Sequence, residues 1–288
     1  MKILVIGSGG MLGHVLTLYL KEKGHDVSDI SKRRKCNRET ILMNVLDFHS
    51  FDNFLDNNEF DFIVNCAAIL SGECEKNKKD AILLNSYFPH YLEKRCINLK
   101  TRIIQVSTAG VFDGKCGGYM EDCKCDTKSF YGMTKLLGEL TDGKNLTVRS
   151  DFVGPDMYSE GRGLFNWIMK SKCEINGYCK AYFNGVTSLE FAEFIDLALK
   201  KNYRGVYHLY TMDINSKANF ARMICEVFGK EDLSVKDCED VCVDMTLKSS
   251  RNDIEYIQKN METQLVELKN WMEKNKNIYE HYFDNEDR

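Results

Sequence analysis

The chain opens with a short apolar run that leads directly into a turn rich in glycine. Residues 2–7 read KILVIG, and the leucines and valine of residues 12–20 then recur at the spacing of one helix face. The glycines of the turn are Gly7, Gly9, Gly10 and Gly13. A strand, a glycine turn and a helix in this order predict an α/β fold whose first helix begins at a phosphate-binding site.

The spacing of these glycines suits a dinucleotide. Gly7, Gly10 and Gly13 would let the backbone turn sharply, approach a pyrophosphate and pack the helix on the strand, with Met11 and Leu12 at the helix start. The strict G-x-G-x-x-G form fails, because Leu12 occupies the third glycine position. A tight turn with only a structural role is therefore the alternative.

Apolar strands alternate with helices through the first half of the chain. The pattern predicts strands at 25–31, 61–68, 102–108, 146–150 and 205–210, and helices at 80–97, 129–142, around 164–172 and at 188–201, with a loop between the last two helices. Such alternation predicts a doubly wound parallel sheet of the Rossmann type. We expect an NAD(P)-binding domain over 1–154 and a smaller substrate lobe over 155–288, from which about 184–210 returns to the first domain.

Composition excludes several classes of partner. The 39 basic and 43 acidic residues give a net charge of −4, which offers no general attraction to nucleic acid or to an anionic membrane. The N-terminal apolar run is too short for a signal peptide, so we expect a cytoplasmic protein. The 12 cysteines form no C-x-x-C pair, which favours reduced thiols and no metal site.

A cluster of cations follows the second predicted strand. An NAD site usually has an acidic residue here for the ribose hydroxyl, but this place falls near Ser31, which precedes Lys32, Arg33 and Arg34. Cations at this point match the extra phosphate of NADP. The pattern therefore favours NADPH, with NAD as the alternative.

Three further side chains suggest chemistry. Thr108, beside Ser107, ends a strand at the sheet edge where α/β folds bind ligands. Tyr131 and Lys135 stand four residues apart and so share a helix face. Each feature alone has an ordinary interpretation, such as a loop cap or an aromatic residue beside a solvated cation. Together, behind a glycine turn, they suggest a proton-handling site.

The sequence resembles the extended short-chain dehydrogenase/reductase superfamily, and most closely the dTDP-4-dehydrorhamnose reductase group. The matching residues and segments are Gly7, Gly10, Gly13, Asp47, NCAA at 65–68, Asn85, STAGVFDG at 107–114, GGYMED at 117–122, YGMTKLLGE at 131–139 and VRSDFVG at 148–154. A degenerate match, NGVTSLEFAEFI, follows at 184–195.

The resemblance implies an NADPH-dependent reductase of a nucleotide-linked 4-keto-6-deoxy sugar in deoxysugar biosynthesis. It implies that Tyr131 donates a proton to the sugar carbonyl, that Lys135 lowers the tyrosine pKa and holds the nicotinamide ribose, and that Thr108 binds the carbonyl. It places Asp47 at the adenine and adds to the cofactor site Cys66, Ala67, Ala68 and Asn85. It places at the substrate Ser107, Thr108, Ala109, Val153 and Asn184.

The chain also departs from this group. Ala109 and Gly110 replace the Asp-Tyr pair that is usual in this group. Related enzymes that epimerise as well as reduce have a cysteine acid/base at the position that resembles Ala109. A methyl group cannot move protons, so epimerisation by that route is disfavoured, although another residue could serve. The alternatives are an epimerase or dehydratase of the same superfamily, and a non-catalytic regulatory subunit. The helices at 80–97 and 129–142 would form a homodimer interface or simply cover the sheet.

Overall fold

The computed structural model describes residues 1–283. Within them, the strands are β1 (Lys2–Ile6), β2 (Asp26–Ser31), β3 (Ile41–Leu42), β4 (Phe62–Asn65), β5 (Arg102–Val106), β6 (Leu146–Arg149), β7 (Phe152–Val153), β8 (Cys173–Phe183), β9 (Val186–Thr187), β10 (Gly205–His208), β11 (Asn215–Ser216) and β12 (Leu233–Asp244). The α-helices are α1 (Met11–Glu22), α2 (Phe48–Asp56), α3 (Ser71–Cys74), α4 (Lys78–Ala81), α5 (Phe88–Arg95), α6 (Phe130–Leu136), α7 (Leu164–Lys170), α8 (Ser188–Lys201), α9 (Lys217–Phe228), α10 (Met261–Lys274) and α11 (Lys276–Tyr279). Residues 284–288 of the predicted second lobe lie outside the described residues.

The main sheet has seven strands in the order β10-β6-β5-β4-β1-β2-β3, and its pairings are parallel. Successive residues of β1 enter different cores: Ile3 and Val5 join one cluster, whereas Leu4 and Ile6 join the other. Both faces of the sheet are therefore covered, and the predicted fold class is confirmed. The strand order reverses between β1 and β4, where folds of this type bind ligands.

The chain returns to the main sheet late in the sequence. Helix α8 packs against α1, and β10 pairs with β6 as the edge strand. A second sheet has the strand order β11-β8-β12 and is covered by α9. Its strand β8 precedes α8 in the chain, whereas β11 and β12 follow β10. The predicted domain boundary at residue 154 stays a prediction.

Two sequence expectations about secondary structure are wrong. The segment after α7 was expected to be a loop but contains β8, whose exposed and buried residues alternate. The helix expected at 129–142 ends at Leu136. A Cβ atom added to Gly138 would lie 1.9 Å from the Asn85 carbonyl oxygen, so the chain there passes too close to its neighbour for another residue.

The helix expected at 80–97 is interrupted by a π-helical segment, Ile82–Tyr87, between α4 and α5. Such segments widen one turn of a helix and often occur at functional sites. None of the described helices is both long and apolar enough to span a membrane.

Candidate active site

The glycine turn is shaped by contacts within the protein itself. Gly7 has φ of 90°, and a Cβ atom there would lie 2.8 Å from the Ala67 nitrogen. A Cβ atom on Gly13 would lie 2.2 Å from the Gly7 carbonyl oxygen. Both positions therefore require glycine, and the turn lies directly against the segment that follows β4.

Helix α1 begins at Met11 with Gly10 as its N-cap, and no side chain caps its first turn. The first N–H groups of a helix have no partner within the helix, so this end of α1 offers donors and a partial positive charge to an anion. Leu12 instead enters the core. Gly9 lies against the second strand, where a Cβ atom would come 2.3 Å from the Ser31 hydroxyl.

Sequence reasoning missed Asp29, which lies on β2 and is buried. Its carboxylate accepts a hydrogen bond from the Ser8 hydroxyl at 2.6 Å and another from the Asn37 amide at 2.9 Å. Asp29 thereby ties the glycine turn to the loop after β2. An acidic residue two positions before the end of β2 was the available signal.

The predicted cation cluster lies at the carboxyl end of β2. Lys32 and Arg33 are exposed. The Arg34 guanidinium lies over the Tyr158 ring, 4.1 Å from its centroid. The segment after β7 therefore reaches across to this loop.

The segment after β4 lies beside the glycine turn. The Cys66 amide donates to the Ile6 carbonyl at 2.9 Å, and Asn65 accepts from the Ala67 amide at 3.2 Å. Ala68 continues this segment. The buried Asn85 amide then binds both backbone groups of Ile69, at 2.8 and 2.9 Å.

Asn85 also donates to the Thr134 hydroxyl at 3.1 Å, in the helix that carries Tyr131 and Lys135. It thus links the predicted cofactor segment to the predicted proton-handling helix. Asp47 is exposed and caps α2, where its carboxylate accepts from the Ser50 amide and hydroxyl. Its predicted role at the adenine stays a prediction.

Three polar groups converge beside α6. The Thr108 hydroxyl donates to the Asp151 carboxylate at 3.2 Å, and it also lies beside the Tyr131 phenol, on which it acts. Burial raises the pKa of Tyr131, the Asp151 charge raises it further, and the Thr108 hydrogen bond opposes both. Asp151 was not among the predicted site residues, although it directly follows the strand motif VRS.

Lys135 is buried one turn along the same helix. Its Nζ atom donates to the Val106 carbonyl at 2.7 Å. Burial lowers the pKa of Lys135 to about 8, against the opposing charge of Glu139. The structure thus brings Thr108, Tyr131 and Lys135 to the carboxyl end of β5, and the tyrosine pKa is raised rather than lowered there.

Ser107 points away from Tyr131. Its hydroxyl donates to Glu139 at 2.6 Å, and the same carboxylate forms a buried ion pair with Arg149 at 2.7 Å. Ser107 therefore links the end of β5 to the buried ion pair of Glu139 and Arg149. Its predicted contact with the substrate stays a prediction.

The other predicted substrate residues are also buried. Ala109 and Val153 enter core clusters. The Asn184 amide group is occupied, because it donates to the carbonyls of Thr211 and Leu247 and accepts from the Leu247 amide. Their role in substrate binding stays a prediction.

A cavity of about 360 Å³ opens beside α6. Its lining includes Gly110, Lys115, Lys128, Ser129 and Met245. A Cβ atom on Gly110 would lie 3.8 Å from the Tyr131 ring, so the cavity borders the predicted site. Its lysines offer positive charge close to that ring.

Titratable clusters elsewhere have protein partners. The carboxylates of Glu190, Glu193 and Glu267 lie close enough to share an ion. The Lys259 Nζ atom lies among them, at 2.6 to 3.1 Å. All 12 cysteines are free thiols.

Comparison with known proteins decides the family. Residues 1–149 match the family described as RmlD substrate binding domain. The chain belongs to this family. The predicted resemblance to nucleotide-sugar reductases of the extended short-chain dehydrogenase/reductase type is confirmed.

Individual relatives agree with this assignment. The spore coat polysaccharide biosynthesis protein SpsK of Bacillus subtilis is 30% identical over 239 residues, which cover 80% of this chain and 80% of that protein. The dTDP-4-dehydrorhamnose reductase of Mycobacterium tuberculosis is 27% identical over 144 residues, which cover 48% of this chain and 44% of that protein.

A solved structure has the same fold over nearly the whole chain. The dTDP-4-dehydrorhamnose reductase of Bacillus anthracis, in complex with NADP, superposes with a TM-score of 0.80 at 19% identity. The match covers 94% of this chain and 99% of that one.

Proposed function

We propose that this protein is an NADPH-dependent reductase that converts the keto group of a nucleotide-linked 4-keto-6-deoxy sugar into a hydroxyl group, in deoxysugar biosynthesis. The observation that carries the proposal is the pair of hydroxyl groups on Thr108 and Tyr131, which meet at the sheet edge beside the glycine turn. The relatives named for polysaccharide biosynthesis and for dTDP-4-dehydrorhamnose reduction support it.

The two hydroxyl groups suit a carbonyl oxygen. Bound between them, the oxygen would accept a hydrogen bond from Thr108 and a proton from Tyr131. NADPH supplies the hydride when it is bound. Lys135, largely protonated near neutral pH, would hold the nicotinamide ribose by donating from Nζ.

The residues of the first turn fit NADPH. The uncapped start of α1 at Gly10 and Met11 would receive the pyrophosphate. Lys32 and Arg33 are exposed at the end of β2, where the 2′-phosphate would lie. Asp29 accepts two hydrogen bonds from the protein, one on each carboxylate oxygen.

The cavity beside α6 would receive part of the nucleotide sugar. Lys115 and Lys128 line it and provide cations for a diphosphate. The Lys115 ammonium is paired with Asp113 at 2.6 Å, so the phosphate would share this cation.

Consumption of NADPH with a panel of nucleotide-linked 4-keto-6-deoxy sugars tests the proposal. We expect turnover with at least one sugar and a loss of about 100-fold or more in kcat for Tyr131→Phe, because the proton donor is removed. The exposed Tyr178→Phe serves as the matched control. Full activity of Tyr131→Phe would refute the assigned role.

Two other functions remain as alternatives. An epimerase or dehydratase of the same superfamily would return the hydride and leave NADPH unconsumed. A regulatory subunit would bind a protein partner and turn over no sugar. The buried Lys135 beside Tyr131 favours catalysis instead, because a protein that only binds a partner needs neither side chain at the carboxyl end of β5.

We also propose a homodimer, and we retain the predicted cytoplasmic location as part of this proposal. The exposed apolar side chains Ile82, Tyr87 and Leu137 are 49%, 51% and 67% exposed on the neighbouring π-helical and α6 segments. His90, on the adjoining helix α5, hydrogen-bonds the carbonyl of Leu137, which directly follows α6. Light scattering should give twice the chain mass, and Leu137→Glu should shift it toward one chain.

A further inference from the structure

We propose that Asp151 supplies the proton that restores Tyr131 after each turnover, with the Thr108 hydroxyl as the connecting group. The inference rests on the proposed reductase function and extends it to a residue outside the predicted tyrosine, lysine and threonine set.

The three groups form one continuous path. The Thr108 Oγ1 atom donates to Asp151 Oδ1 at 3.2 Å and lies beside the Tyr131 ring, since a Cβ atom on Gly110 would be 3.3 Å from Thr108 Oγ1 and 3.8 Å from that ring. The Ala109 amide donates a further hydrogen bond to the Asp151 carboxylate. The Gly110 amide donates to Thr108 Oγ1 at 3.0 Å, which fixes the hydroxyl between its two partners.

The proton transfers balance without a further reactant. Hydride from NADPH forms the new C–H bond, and the carbonyl oxygen takes the proton of Tyr131. The Thr108 O–H, which donates to Asp151 in the structure, would turn to the phenolate and give it its proton, while the Thr108 oxygen accepts the proton of the protonated Asp151 carboxyl group. The Asp151 carboxylate would then regain its proton from the solvent.

The surroundings of Asp151 favour its protonated form. Burial raises its pKa, while Lys217, at the start of α9, and the hydrogen bonds from Thr108 and Ala109 oppose the rise. Across the path, Tyr131 faces the carboxylate from α6, and Cys74 of α3 lies near the phenol. A carboxylate and a phenolate in such proximity repel each other. Ionisation of either group therefore makes the other group hold its proton more tightly.

A lysine relay would make Asp151 unnecessary. Lys135, however, donates to the Val106 carbonyl, and of the two charges that act on the Tyr131 phenol, Asp151 has a larger effect than Cys74. The structure therefore connects Tyr131 to a proton source through Thr108.

The test compares kcat across pH for the wild type, Asp151→Asn, Asp151→Glu and the exposed Asp122→Asn as the matched control. We expect Asp151→Asn to lower kcat by about 10-fold or more. The wild-type kcat should decline as rising pH deprotonates Asp151, and this decline should be absent in Asp151→Asn. The KM for the sugar should change little. Asp151→Glu should restore both kcat and the decline at least in part.

Formate provides a second readout that a structural role would not produce. In Asp151→Ala, added formate should raise kcat toward that of the wild type, because a small acid can enter the space of the missing carboxyl group. This readout decides the matter should Asp151→Asn fold poorly.

The outcomes separate this inference from the proposed function. A wild type that consumes NADPH, with an Asp151→Asn variant of unchanged kcat and pH profile, would overturn the proton path alone. A rise confined to KM, or no rescue by formate, would also overturn it. A wild type inactive on every sugar would overturn the proposed function and this inference together.

Discussion

The buried ion pair beneath the active site provides a stability test that follows directly from the structure. The Glu139 carboxylate accepts from Arg149 at 2.7 and 2.9 Å and from the Ser107 hydroxyl at 2.6 Å. All three side chains are buried. Glu139→Gln keeps the shape of the side chain but removes the charge that Arg149 needs.

The expected loss is large because the remaining cation stays buried. Breaking a buried pair by removing one partner costs about 3–5 kcal/mol of unfolding free energy. The His208 ring, 3.2 Å from Arg149, has a pKa lowered mainly by burial and cannot replace a carboxylate. The matched control is Glu239→Gln, which breaks an exposed pair with Lys180 and should leave stability essentially unchanged.

Urea unfolding followed by circular dichroism measures both variants. Glu139→Gln should also lower the pKa of Lys135 further, since the Glu139 charge opposes the effect of burial there. A loss below about 1 kcal/mol, or equal losses for the buried and the exposed variant, would refute the reasoning.

Further predictions concern the glycine turn and the buried lysine. Gly13→Ala places a Cβ atom 2.2 Å from the Gly7 carbonyl oxygen, so NADPH should bind at least about 10-fold more weakly in a fluorescence titration. Gly72→Ala, where a Cβ atom meets nothing within 4 Å, should bind as the wild type does. The pKa of Lys135 is lowered to about 8 in the folded chain, against about 10.4 when unfolded, so the unfolded state binds more protons between these values and stability rises with pH across them. Lys135→Met should therefore exceed the wild type in stability at pH 7, and the gap should shrink by about 2 kcal/mol between pH 8 and 10; a gap constant with pH would contradict this.

Local patterns were sufficient to predict the doubly wound sheet. The strands β1, β4, β5 and β6 are short apolar runs separated by helices, and each carries its own signal. Strand β8 carries a weaker one, because its glutamate, asparagine, lysine and tyrosine residues are exposed, largely in alternation with buried ones. It is stable only through its partners, chiefly β12, which lies far along the chain.

The site residues show the same limit. Tyr131 and Lys135 were predictable, because their spacing places them on one helix face. The orientation of Ser107 was not, because its partner Glu139 lies beyond the point where α6 unexpectedly ends. The position of Asp151 beside Tyr131 depends on a turn after β6 that leaves no periodic signal.

The fate of the cofactor hydride tests the central claim most directly. NADPH carrying deuterium at the transferred position of C4 should place one deuterium on the former keto carbon of the sugar, as read by mass spectrometry of the product. Tyr131→Phe should form this labelled product far more slowly than the wild type. A converted sugar without deuterium would contradict net reduction by this protein and would favour an epimerase or dehydratase instead.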